Sequence, residues 1–167
     1  SLSDPQDSDD PARRQAMWFS GAESAATSFE AFSYGEWTFK SFTAELWACP
    51  EAVNRDQVLL ERTLAYRSSD LSTSGLVVRC NFRIGIATNG CVYGMFQNAG
   101  SHDSHTATVI AYGNVLATNQ WVHIAARMDG SKSAFTLLVN GEVRNTVSTA
   151  LIPANGVTVV LMDPATS

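Results

Sequence analysis

The chain has 167 residues, 45% of them hydrophobic, and a formal net charge of -5 at pH 7, a size that suits one domain with a single core. No stretch approaches the roughly 18 apolar residues of a membrane helix, and no basic block or stripe favours a phosphate backbone. We therefore expect neither membrane insertion nor a nucleic-acid partner. Three cysteines are too few for a disulfide scaffold.

Residues 1–15 differ from the rest in composition, with four aspartates, two prolines and no aromatic side chain. Such a stretch cannot bury enough apolar surface to offset the entropy lost on ordering. We expect it to be a flexible acidic lead-in, followed by one domain over residues 16–167.

Short β-rich runs separated by turn signals follow the lead-in. Met17–Ser20 is a short apolar run, and Phe42–Cys49 alternates between an apolar and a more polar face before Pro50 ends it. Glu51–Gln57 is the best helix candidate, but it is short and contains weak helix formers. The pattern predicts an all-β protein.

Two Asn-Gly pairs, at 89–90 and 140–141, lie between β-rich runs, which is the strongest short-range signal for a hairpin. The strands predicted in the second half of the chain are Phe82–Ala87, Cys91–Phe96, Trp121–Met128, Phe135–Val139, Val143–Val147 and Val157–Met162. In the first of these hairpins Cys80 falls opposite a residue near Asn98, far from Cys91, so no disulfide is expected between the two cysteines.

Six segments resemble, in the right order, the motifs of laminin-G-like, concanavalin-A-like jelly-roll domains. They are Met17–Gly21, Phe42–Pro50, Val58–Arg62, the Asn89-Gly90 hairpin, Asn119–Gly130 and Phe135–Glu142. The resemblance implies a two-sheet antiparallel β-sandwich of jelly-roll topology. It also implies a non-catalytic recognition module of a larger protein, with a glycan or a protein as ligand. Such domains are mostly extracellular or at the cell surface, although the odd cysteine count leaves an intracellular location open.

In the family a further strand closes the sheet after the one that matches Val157–Met162, and this sequence has no such strand. We therefore expect a C-terminally incomplete jelly roll with an open sheet edge. An alternative function follows, in which a partner or the rest of the parent chain completes that edge.

Some members of this superfamily are glycoside hydrolases, and retaining enzymes need two carboxylates about 5 Å apart. The hydrolases carry them as Glu-x-Asp-x-x-Glu on one strand, and this sequence contains no such run. Glu45 is the one carboxylate on its strand, where we expect it to pair on the sheet face. We therefore expect no enzymatic activity, and a glycosidase remnant is the weaker alternative.

Two polar segments, Arg67–Gly75 and Asn98–Thr106, are predicted to be rim loops, where a rigid sandwich carries its specificity. The residues expected to contact the ligand are Arg67, Asp70, Asn98, His102, Asp103 and His105. A His-x-x-His pair beside a carboxylate can bind a transition metal, but the spacing alone is weak, and we expect no metal. No cofactor is expected either. Calcium, which needs six to eight oxygens, is the alternative, with Asp70, Asn98 and Asp103 as its ligands.

The aromatic residues are expected to serve mainly as core. Trp47 and Trp121 match strand positions of the family and are predicted to be buried, as is Trp37, although Trp37 is the aromatic most free to act at a surface. His123, in the middle of a strand, is predicted to be a core or sheet-face histidine with its hydrogen bonds satisfied.

Overall fold

The computed structural model describes residues 40–67, 76–98 and 107–153. They form eight strands: β1 (Phe42–Ala48), β2 (Gln57–Arg67), β3 (Leu76–Ile86), β4 (Cys91–Gln97), β5 (Thr108–Val115), β6 (Val122–Asp129), β7 (Ala134–Val139) and β8 (Glu142–Ser148). Within these residues no helix has the length and apolar character needed to cross a membrane.

The strands build two four-stranded sheets in which all neighbours are antiparallel. Sheet A has the order β1-β6-β7-β8 and sheet B the order β2-β3-β4-β5. Sheet B is thus a simple meander, and β1 joins sheet A by pairing with β6. The predicted all-β, two-sheet antiparallel sandwich is confirmed.

The inner faces of the two sheets meet in one apolar core. Its largest fully buried side chains include Ile84, Ile86 and Phe96 from sheet B, and Ile124, Met128, Phe135 and Leu137 from sheet A. The rings of Phe96 and Phe135 meet edge to face, with centroids 5.1 Å apart. Because each such side chain contributes about 1.5–3 kcal/mol when it is buried, this core fixes the backbone that positions the surface residues.

Both predicted hairpins form. Asn140 and Gly141 have φ angles of 51° and 79°, as a two-residue turn of type I′ requires. In the other hairpin Ile86 faces Val92, and Gly90, with φ of 82°, closes the turn between them.

The register of sheet B also explains the cysteines. The amide of Cys80 donates a hydrogen bond to Oε1 of Gln97, at 2.8 Å, so Cys80 lies beside the end of β4 as predicted. All three cysteines are free thiols, with Cys80 buried and Cys49 and Cys91 half-buried. Burial, helped by the negative charge of Glu61, raises the pKa of the Cys80 thiol to about 11.

Several predicted boundaries change. Glu51–Gln57 is not a helix: Gln57 begins β2, and its side-chain amide donates to the carbonyl of Ala52 at 2.7 Å. Arg67 is the last residue of β2 rather than the start of a loop. Strand β5 is not among the predicted strands, because Gly113 and Asn114 interrupt its β-rich run.

The proposed lead-in, the segments Met17–Ser20 and Val157–Met162, and Trp37 lie outside the described residues. The lead-in, the open edge and the incomplete C-terminus therefore stay predictions.

Candidate functional site

A groove of about 210 Å³ opens at one end of the sandwich, where β5 leads into β6 and β7 turns into β8. We call it the end groove. The residues that give it its chemistry are Asn114, Gln120, Trp121, Val139, Asn140 and Arg144. It therefore combines a tryptophan ring, three side-chain amides and one guanidinium on an apolar floor.

The floor of the end groove belongs to the core. Leu116, Val122 and Val139 line it and are 5%, 7% and 2% exposed. Because these side chains are packed between the sheets, they hold the polar rim in place, and the shape of the groove follows from the fold itself.

The connection from β5 to β6 is fixed at two points by backbone hydrogen bonds. The amide of Leu116 donates to the carbonyl of Gly90 at 3.1 Å, and the amide of Asn119 donates to the carbonyl of Pro50 at 2.8 Å. Asn119 has a φ of 57°, a left-handed conformation that asparagine tolerates well. The residues that follow, Gln120 and Trp121, are thereby held at the groove.

Asn140 ties the other wall of the groove to β6. Its Oδ1 accepts a hydrogen bond from the amide of His123 at 2.9 Å, and its own amide donates to the carbonyl of His123 at 2.8 Å. The side-chain oxygen of Asn140 therefore already accepts a hydrogen bond within the protein, and its NH₂ group is the part that can donate to a ligand.

Arg144 is the charged member of the described groove lining. Its Nη2 lies 2.7 Å from Oε2 of Glu142, and the two side chains are 37% and 70% exposed. A pair as exposed as this stabilises a protein by at most about 1 kcal/mol, so a ligand group can replace Glu142 at little cost.

Trp121 immediately precedes β6 and is half-buried at the groove. The prediction that it belongs to the core is thus met only in part, because one side of the side chain lines the end groove. A half-buried tryptophan offers a rigid apolar surface together with an N–H donor.

Two of the six residues predicted to bind a ligand are described, and they lie at the opposite end of the sandwich. Since neighbouring strands are antiparallel, β2 and β4 both end on the side of sheet B away from the groove. Arg67 and Asn98 lie there. The other four predicted residues, Asp70, His102, Asp103 and His105, fall outside the described residues.

Asn98 closes the base of the segment that follows β4. Its Oδ1 accepts a hydrogen bond from the amide of Ala107 at 2.7 Å, and its own amide donates to the carbonyl of Ala107 at 3.1 Å. It also forms an isolated bridge with Pro153. In the described residues no three His, Cys, Asp or Glu side chains come together as metal ligands, and the calcium and metal alternatives at the predicted loops stay untested.

The outer face of sheet A contradicts one prediction. Trp47 is 37% exposed and does not belong to the core, because the alternation of β1 puts Thr43, Glu45 and Trp47 outward. Its ring packs on His123, with centroids 5.2 Å apart and planes inclined by 46°. Nε2 of His123 lies 3.5 Å from Oε2 of Glu45, so the predicted sheet-face roles of Glu45 and His123 are confirmed.

The outer face of sheet B carries a second aromatic pair, Tyr93 and Tyr112, with centroids 6.2 Å apart. Tyr93 is 5% exposed and Tyr112 is 49% exposed. The Tyr93 ring lies over Gly85, where a Cβ atom would come within 2.6 Å of it. Arg83 forms an ion pair with Glu61 and a hydrogen bond with the side chain of Tyr93.

Comparison with known proteins places these observations in a family. The family model Laminin_G_3, described as the concanavalin A-like lectin/glucanases superfamily, matches residues 20–162. Among solved structures the chain is similar to the CBM40 of Ruminococcus gnavus IT-sialidase, both on its own and bound to alpha2,3 sialyllactose, with 18% sequence identity and a TM-score of 0.46. Each match covers 67% of this chain and 55% of the other, so the chain spans about half of those structures. Comparison with curated proteins finds no match.

Proposed function

Because the chain belongs to the concanavalin A-like lectin/glucanases superfamily, we propose that it is a non-catalytic module that binds carbohydrate, with a sugar residue held in the end groove. The observation that supports this most strongly is the meeting of Trp121, three side-chain amides and Arg144 in that groove. The proposal includes an extracellular or cell-surface setting, where glycans are accessible to a recognition module.

The chemistry of the groove matches the chemistry of a sugar. A pyranose presents C–H groups on its faces and hydroxyls around its edge. An aromatic side chain packs against the first, and amide or guanidinium groups hydrogen-bond the second. Asn114 and Gln120 supply donors and acceptors, whereas Asn140 and Arg144 supply donors. The volume of about 210 Å³ is small and suits one sugar residue better than a large ligand.

The rigidity of the groove supports affinity. Hydrogen bonds from Leu116 and Asn119 fix the β5–β6 connection, and Asn140 is fixed by two bonds to His123. Ordering loops and side chains on binding lowers affinity. Groups that are already held in place avoid that loss, so even a small ligand can bind measurably.

Binding rather than hydrolysis suits the residues present. Glycoside hydrolysis needs two carboxyl groups flanking the scissile bond. The described residues that line the end groove include no Asp or Glu, and Glu45 pairs with His123 on the outer face of sheet A. These contacts support a recognition role for the chain.

The predicted rim loops form a second proposed contact surface for a glycan or protein ligand. What favours it is that β2 and β4, the strands that precede these two segments, end at the same end of sheet B. Loops grouped at one end of a sandwich are a common location for binding residues. The six residues predicted there keep that role as a proposal.

A glycan array followed by calorimetry with variants tests the proposed function. We expect the chain to bind a subset of the array, and Gln120→Ala to weaken the strongest interaction by roughly 3- to 10-fold, the effect of one lost hydrogen bond. Thr118→Ala, an exposed change in the same connection, is the matched control and should bind like the wild type. Silence across a broad array, or equal affinities for the two variants, would contradict the proposal.

A further inference from the structure

We propose that the glycan extends from the end groove onto the outer face of sheet A, where Trp47 stacks on a second sugar residue. This inference rests on the proposed function of the end groove. It adds a second subsite, made by Trp47, His123 and Glu45, and it limits the preferred ligands to glycans of two or more sugar residues.

The exposure of Trp47 is the first observation. A tryptophan is among the residues that gain most from burial, yet Trp47 is 37% exposed on a sheet face. Its strand neighbours on that face are polar, Thr43 and Glu45, and both are exposed. The indole is therefore an exposed aromatic surface beside polar residues of its own strand.

The second observation is that this indole is held in position. It packs on the His123 ring at a centroid distance of 5.2 Å, and His123 in turn lies 3.5 Å from the Glu45 carboxylate. The His123 side chain is only 22% exposed, so it forms a fixed support. An aromatic side chain ordered in this way loses little entropy when a ligand packs on it.

The third observation is that the two places are continuous. Trp121 lies two residues before His123, immediately ahead of β6. Trp47 lies opposite His123 in the β1–β6 ladder. The Cα positions of Trp121 and Trp47 are therefore separated by about 7 Å along β6 and about 5 Å across to β1. Asn140, which lines the groove, is hydrogen-bonded to the backbone of His123.

The chemistry at Trp47 fits a sugar better than a protein partner. The Glu45 side chain is 42% exposed and its contact with His123 is long, at 3.5 Å, so the carboxylate can accept hydrogen bonds from sugar hydroxyls. A stable protein interface buries about 800 Å² on each side around an apolar centre. One aromatic ring among polar groups does not supply such a centre, whereas it is sufficient to stack one sugar residue.

Binding of the whole chain to a series of glycans of increasing length tests the inference. The probes are the strongest array glycan, its disaccharide end and the methyl glycoside of its terminal sugar. For the wild type we expect affinity to rise from the monosaccharide to the disaccharide. Trp47→Ala should lose roughly 3- to 10-fold for the longer probes and nothing for the monosaccharide, and Trp47→Phe should restore most of the loss.

Tyr112→Ala is the matched control, because Tyr112 is an exposed aromatic on the other sheet, and it should keep the length dependence. Val143→Ala, at an exposed apolar residue of the same face, should keep it as well. Equal loss for all probes, or no loss at Trp47, would overturn the inference while the groove remains a sugar site. If Gln120→Ala and Thr118→Ala bind every probe alike, the proposed function itself fails and the inference falls with it.

Discussion

Trp47 and Tyr112 are exposed aromatic residues on opposite outer faces of the sandwich, and their surroundings differ. Tyr112 packs beside Tyr93, whose ring covers Gly85 and whose hydroxyl accepts a hydrogen bond from Arg83. Trp47 rests on His123, and its neighbours on the same face of β1, Thr43 and Glu45, are polar. Tyr112 thus shares its face with a second aromatic ring, whereas Trp47 shares its face with a histidine and a carboxylate.

Aromatic content alone therefore does not mark a binding surface on a sheet. A bulge in β5, between the residues paired with Cys91 and Tyr93, separates Tyr112 from the groove residue Val115. No such irregularity separates Trp47 from the start of β6, since β1 and β6 pair in unbroken register. Sheet A is therefore the sheet on which regular strand pairing connects the groove with an exposed ring, that of Trp47.

The largest difference between the two outer faces should appear in the free energy of unfolding when Tyr93 on sheet B and Trp47 on sheet A are each truncated. Tyr93→Ala removes a side chain that is 5% exposed, and we expect the free energy of unfolding to fall by about 3–5 kcal/mol, as in other truncations of buried aromatics. Trp47→Ala should reduce it by about 1 kcal/mol or less, because the ring is already partly in water. Urea unfolding monitored by circular dichroism measures both, and equal losses would show that the two faces are packed alike.

The second prediction concerns the glycine under Tyr93. In Gly85→Ala the new Cβ would lie 2.6 Å from both the Tyr93 ring and the carbonyl oxygen of Gln57, so both the ring and the β2 backbone at Gln57 must shift. We expect a loss of about 1–3 kcal/mol, typical of overpacking, and a lower melting temperature. The binding of glycans should be unchanged once the variant is folded. A variant as stable as the wild type would mean that the Tyr93 ring is not fixed over Gly85.

The third prediction concerns the pH dependence of stability that arises from Cys80, the buried thiol on sheet B. Burial and the nearby Glu61 carboxylate raise the pKa of Cys80 from 9.0 to about 11. Between those values the unfolded chain loses the thiol proton while the folded chain keeps it. Stability should therefore fall as the pH rises from about 9 to about 11, by at most about 1.4 kcal/mol per pH unit. In Cys80→Ala this part of the slope should disappear, and chemical unfolding at several pH values measures it. A slope unchanged in the variant would assign it to other groups.

The smallest effect is expected at the rim of the groove. Glu142→Gln removes the partner of Arg144, and since exposed ion pairs contribute at most about 1 kcal/mol, stability should change by less than about 0.5 kcal/mol. The freed guanidinium should bind a carboxylated sugar a few times more tightly than the wild type does, with no gain for its neutral counterpart. Calorimetry with the two sugars measures this, and an equal gain for both would exclude Arg144 as a ligand contact.

Much of the fold could be predicted because its signals are local. The alternation in β1 and the turn at Asn140-Gly141 depend on neighbouring residues, and both were found in the sequence. Bulges are harder to see, and β5 was missed because its bulge interrupts the run at Gly113. Trp47 was assigned to the core from its family position, although the alternation that put Glu45 outward also put Trp47 outward.

The candidate site was less predictable for a physical reason. The end groove joins residues 114–117 and 120–122 with Val139, Asn140 and Arg144, which come together only when β5, β6, β7 and β8 have paired and stacked. No spacing in the sequence signals that meeting. Trp121 was the available clue, since a tryptophan at the start of a strand can lie at the rim instead of the core.

A nuclear magnetic resonance titration of the labelled chain with the glycan that binds most tightly on the array tests directly whether a sugar binds in the end groove. A sugar in the end groove predicts that the largest amide shifts fall on residues 114–121 and 139–144, together with the indole N–H of Trp121. Shifts confined to residues 68–75 and 98–107, with the groove signals unmoved, would contradict it and assign binding to the opposite end of the sandwich.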